Sequence, residues 1–102
     1  MASRLELHEE LCTILGTKNV YFQPPQSVKL KYPCIVYSKT GVNKVNANDK
    51  FYRGIDEYQI TVIDSDPDSR TPDEILYHFP MCRFDRGFAA DNLNHYVLTL
   101  YF

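Results

Sequence analysis

Within the stretch SRLELHEELCTILG, the apolar residues Leu7, Leu11, Ile14 and Leu15 fall at i, i+4, i+7 and i+8, one face of a 3.6-residue helix. Ser3 with Glu6 three residues on makes a capping box, and Gly16 is a terminator, so the spacing predicts an amphipathic helix. Glu9, Glu10 and Thr13 keep the other face polar. In a domain this small, the apolar stripe is expected to pack on a sheet.

Beyond the helix the period falls to two. NVYFQPPQ is a short β-prone run stopped by Pro24 and Pro25, which lack the amide donor a ladder needs. Cys34 to Tyr37, in YPCIVYSK, is β-branched and aromatic and predicts a strand. In DEYQITVID, Tyr58, Ile60 and Val62 alternate with Glu57, Gln59 and Thr61, predicting a second. Between these two strands lies TGVNKVNANDKFYRGI, polar and rich in Asn, Lys and Gly. A connection of roughly 14 to 16 residues exceeds the two to five usual for a hairpin, so Thr40 to Ile55 is expected to be a functional arm or a disordered tip.

RTPDEILYHFP places Thr71 as N-cap, Pro72 at the first helical position and Glu74 in a second capping box, with Pro80 ending a short helix. MCRFDRGF then predicts a brief strand with Cys82 and Phe84 on one side. NHYVLTLYF closes with Tyr96, Leu98, Leu100 and Phe102 facing one way. The predicted order is helix-strand-strand-strand-helix-strand-strand. That order implies an α+β fold with a mainly antiparallel sheet of about four to five strands and two helices on one face. A chain of 102 residues is one domain's worth, so residues 1–102 are expected to form a single unit. At least one edge strand should stay free. An open edge, together with eight tyrosines and six phenylalanines, favours a protein that assembles.

The net charge of −2 is too small for a general nucleic-acid binder. Its distribution is polar, with seven Lys/Arg against four Asp/Glu in residues 1–50, and four against nine in residues 51–102. One edge of such a molecule could attract the opposite edge of a copy, although scattered solvated charge is the favoured reading. Cys12, Cys34 and Cys82 are odd in number and set among apolar neighbours, as buried free thiols in a reducing compartment would be. MASRLELHEEL has no apolar core behind its basic residue and no apolar run approaches ~20 residues, so neither a signal peptide nor a membrane span is expected.

Candidate chemistry is sparse. Asp64, Asp66 and Asp68 match positions one, three and five of a calcium loop, but Ser69 stands where that loop needs Gly and Ile75 where it needs a bidentate Glu. A joint between strand and helix explains them instead: Asp66 and Pro67 start a turn, and Asp68, Asp73 and Glu74 lie near a helix N-terminus that favours carboxylates. His8, His78 and His95 show no zinc spacing, and there is no C-x-x-C. A Cys34–His95 nucleophile pair is conceivable only if the fold joins them. P-loop, G-x-S-x-G and dinucleotide motifs are missing, so neither an enzyme nor a cofactor is expected. Lys29, Lys31, Lys39, Lys44 and Lys50 with Tyr32, Tyr37, Phe51 and Tyr52 faintly suggest a single-strand-binding face, against which stands the acidic second half.

The pieces taken together, VYFQPP with its proline stop, LKYPCIVYSK, the polar arm, DEYQITVIDSDPDS, CRFDRGFAADNLNH and YVLTLYF, resemble the small tail-terminator, or tail-completion, proteins of long-tailed bacteriophages. The resemblance spans nearly the whole chain and rests on patterns, with no catalytic signature. It implies a virion protein assembled in the host cytoplasm and forming a ring, usually of six copies, on the head-proximal end of the tail. Such a ring halts addition of tail tube protein, docks the head connector or completion protein, and lets genomic DNA pass without sequence recognition. Another head-tail joining component shares this fold class, and a small nucleic-acid-binding domain is the reading from a different class. On the tail-terminator reading, Lys39, Lys44, Asn46, Lys50, Phe51 and Arg53 of the arm, with Asp64, Asp66 and Asp68, are the candidate subunit or tube contacts.

Overall fold

A computed structural model describes the backbone of residues 4–47 and 50–102, and their side chains outside residues 42–54. Its elements are α1 (Arg4–Leu15), β1 (Val20–Phe22), β2 (Cys34–Ala47), β3 (Lys50–Asp64), α2 (Thr71–His78), β4 (Cys82–Ala90) and β5 (Leu93–Tyr101). They form an α+β domain with one five-stranded sheet in the order β1-β2-β3-β5-β4. The three pairings among β2, β3, β5 and β4 are antiparallel, and β1 runs parallel to β2.

Register explains the core. Ile35 pairs with Val62, Ile60 with Leu98 and Tyr58 with Leu100, so the period-two apolar sets of three strands share one face. Onto that face α1 brings Leu7 and Leu11, and α2 brings Ile75, followed by Phe79, all in one buried cluster. Both helices therefore cover the same side. Ile14 and Leu15 pack at the margin of the cluster.

α1 ends as its sequence predicts: Gly16 adopts a left-handed backbone (φ 83°) and donates its N–H to the Cys12 carbonyl at 2.9 Å. Ser3, half of the expected capping box, lies outside the described residues. At α2 the expectation is off by one. Arg70 occupies the cap position with helical backbone and no side-chain cap bond, and Thr71 is already helical. The turn closed by Ser69 N–H on the Asp66 carbonyl (3.3 Å) runs straight into the helix, so the chain is wound one residue early.

Two corrections concern strand length. β4 is longer than the expected MCRFDRGF strand, running to Ala90, because Asp91 (φ 53°) and Asn92 (φ 62°) form a two-residue turn with both central residues left-handed. Asp and Asn tolerate that backbone, and its twist matches the flanking strands. The second correction is larger. Thr40 to Ile55 is no loop: β2 and β3 continue through it as an antiparallel ribbon, pairing Val42 with Asp56, Lys44 with Arg53 and Ala47 with Lys50. Ladder hydrogen bonds need only backbone amides and carbonyls, so a run without core-forming side chains still extends a hairpin whose register is already set at its base. Residues 48 and 49 at the tip lie outside the described residues.

Candidate functional site

The candidate contacts fall at the two ends of β3, separated by about 45 Å at the rise of a strand, in a molecule whose longest dimension is 52 Å. One end is the arm. Beyond Glu57, β3 has lost its β5 neighbour, and beyond Tyr37, β2 has lost β1, so among the described residues 44–47 and 50–53 pair in the sheet only with each other. A two-stranded ribbon of this kind is marginal on its own, since it has no third strand or helix to cover it.

Side chains brace the base of the arm. The register shift between Lys39 and Gly41 leaves Thr40 as an extra residue on β2, a bulge that re-aims the ribbon. The Thr40 hydroxyl donates to Glu57 Oε1 at 2.7 Å, and the Tyr101 hydroxyl donates to Glu57 Oε2 at 2.9 Å. These two bonds hold the Glu57 carboxyl below the usual carboxylate range. A Cβ at Gly41 would meet the Glu57 Cβ at 3.3 Å, a tight contact that Glu57 would have to give way to. Lys39 Nζ lies 3.2 Å from the buried Asp56 carboxylate. The backbones of Asp56 and Phe102 exchange N–H to carbonyl bonds of 3.3 and 3.0 Å, tying the end of the chain to the arm's root.

Of the sequence candidates, Lys39 therefore sits at the root. Lys44, Asn46, Lys50, Phe51 and Arg53 sit on the ribbon itself, where their side chains lie outside the described residues. Along the ladder Asn46 pairs with Phe51 and Lys44 with Arg53.

The other end is acidic. Asp64 closes β3, and its carboxylate accepts the Asp66 N–H at 3.0 Å; the Asp66 carboxylate in turn accepts the Asp68 N–H at 2.9 Å. Tyr96 anchors this turn by donating its hydroxyl to the Pro67 carbonyl at 3.1 Å. Burial first, then the neighbouring aspartates, push the Tyr96 phenol up. Between the turn, α2 and β4 lies a groove of about 440 Å³ lined by Pro67, Pro72, Leu76, Phe84 and Tyr96 together with Asp68, Ser69, Arg70 and Asp73.

β4 forms the outer edge of the sheet beside this groove, and its residues are almost entirely exposed. Asp85 is an extra residue between Phe84 and Arg86, and the bulge turns Phe84 and Phe88 to opposite faces. The Asp85 carboxylate accepts from the Thr99 hydroxyl and pairs with Arg83 at 2.9 Å. Thr99 first, then Arg83, hold its carboxyl down. Phe88 stacks on His95 with ring centroids 4.8 Å apart. None of the β4 residues was singled out as a candidate contact from the sequence. Their signal was the period-two alternation of Cys82 and Phe84 with Arg83 and Asp85, interrupted by the bulge.

Cys34 and His95 do not meet. Cys34 pairs with Ile63 and Ile63 with His95, which puts the two in one row across the sheet with a full strand between them, about 10 Å apart. Burial pushes the Cys34 and Cys82 thiols up to about 11. All three cysteines are free. Among the described residues no three His, Cys, Asp or Glu side chains converge as a metal's ligands would, and no helix is long and apolar enough to cross a membrane. The chain matches no family model and no curated protein.

Proposed function

We propose that this chain is a structural subunit of the phage tail-terminator type. Copies close into a ring, six in the family the sequence resembles, on the head-proximal end of the tail tube. The ring stops further addition of tube subunits and offers a docking surface to the head connector. The observation that carries this reading is the arm, a ribbon that leaves the sheet with no third strand beside it and is braced at its root by Thr40, Glu57 and Tyr101. A domain gains nothing internal from projecting such a ribbon, whereas a neighbouring subunit that covers it supplies the missing packing. Edges left open at β1 and β4 add further pairing surfaces. A ring requires one patch of each copy to meet a different patch of the next, and the candidate contacts lie at opposite ends of the molecule.

The chemistry of the arrangement is contact without bond making. DNA leaving the head would cross the ring's opening without sequence recognition, the overall charge of −2 disfavouring tight phosphate binding. Negative-stain imaging of the purified protein mixed with sheared tail tubes tests the proposal. Rings seated on one end of each tube are expected. A persistent monomer that ignores tubes and retards DNA at low salt would contradict it.

A further inference from the structure

We infer that the groove between the 64–70 turn, α2 and β4 is the receptor for the arm of a second copy of this chain. This rests on the reading above that the chain assembles with itself. Three observations lead to it. Lys44 and Arg53 are direct cross-strand partners on the ribbon, and like charges in that position repel unless an anionic surface lies against them. Asn46 and Phe51 are the next pair but one along the same ladder, so cations and an aromatic residue occur together in the arm. The groove has a largely apolar lining that includes Phe84, 47% exposed, and among its charged residues Asp68 and Asp73 outnumber Arg70.

Charge agrees over the longer segments. Residues 40–55 hold three Lys/Arg against one aspartate, and residues 64–74 hold five Asp/Glu against Arg70 alone. The occupant has to be a second molecule, because a copy's own arm springs from the opposite end of β3 and extends away from the groove. Successive copies then engage head to tail, arm into groove, which is the heterologous contact from which rings close. The positive segment of the arm then lies against the acidic turn, where charge complementarity sets register and partner choice.

Reciprocal charge reversal tests the pairing. One variant carries Lys44→Glu with Arg53→Glu; the other carries Asp68→Lys with Asp73→Lys. All four positions lie on the ribbon, in the turn or in the exposed first turn of α2, and circular dichroism with thermal melting reports whether each variant folds. Light scattering over a dilution series is expected to show each variant assembling only at a protein concentration about tenfold or more above that of the unaltered chain. Combining all four changes in one chain, or mixing the two variants in equal amounts, restores assembly, since every arm again faces a groove of opposite charge. If both variants assemble like the unaltered chain, or if assembly is lost and neither the combination nor the mixture restores it, the groove is not the receptor and self-assembly through another surface stands. If the unaltered chain does not assemble at all, the ring reading fails and this inference with it.

Discussion

Glu57 shows how one side chain can join elements that sequence reasoning keeps apart. It lies on β3 facing the side of the sheet without helices, where Thr40 of β2 and Tyr101 of β5 both donate to it. Its alternation with Tyr58 marks it as a polar strand position, but its two partners are set by cross-strand register, which no local pattern records. Asp85 is similar, held by Thr99 of β5 across a bulge. Both carboxyls have lowered pKa values when folded, so their contribution is complete above the ordinary carboxylate range and is lost as pH falls through those lowered values. Melting temperature is accordingly expected to hold steady from neutral pH down to about 5 and to drop below about 4, with Glu57→Gln flattening that acid limb; an unchanged limb in the variant would count against the clamp. Cys34, with its thiol pushed to about 11, should react with a thiol-directed reagent about 100-fold more slowly in the native protein than in denaturant. Equal rates would show that its site opens freely.

At the scale of elements, the chain's periodicities were readable wherever one face meets the core. Leu7 and Leu11 at helical spacing, and Ile60, Leu98 and Leu100 at strand spacing, are all fully buried. Replacing Leu11 with Ala should cost about 2–5 kcal/mol in denaturant unfolding, the range for a buried leucine whose cavity does not collapse. A loss below about 1 kcal/mol would mean that α1 is loosely seated. The arm was misread because its sequence, rich in Asn, Lys and Gly, lacks the two-residue apolar period that reveals a strand, while the backbone pairing persists. The acidic turn was legible as a joint; its groove was not, since Phe84 and Tyr96 reach it from strands distant in sequence. Deleting residues 44–53 joins Asn43 to Gly54, a pair suited to a tight turn. The shortened chain should keep its far-ultraviolet dichroism and melt within a few degrees of the parent, because the buried cluster is built from residues outside the deleted segment. A collapse of the melt would make the arm part of the fold rather than an appendage.

For the whole molecule, the consequence is polarity. A cationic arm and an acidic turn occupy opposite ends of a body 52 Å long, and a molecule so arranged joins its copies head to tail more readily than face to face. Ionic strength should then weaken association, because charges at the rim of such a contact are screened over about 8–10 Å at physiological salt. Whether this chain closes on copies of itself through its arm is decided by the solution mass of the intact protein beside that of the 44–53 deletion. Multi-angle light scattering is expected to find a closed multiple of the 11.9 kDa chain for the intact protein and the single chain for the deletion. An intact protein that stays at 11.9 kDa across the accessible concentration range, or a deletion that assembles as the parent does, would contradict the account.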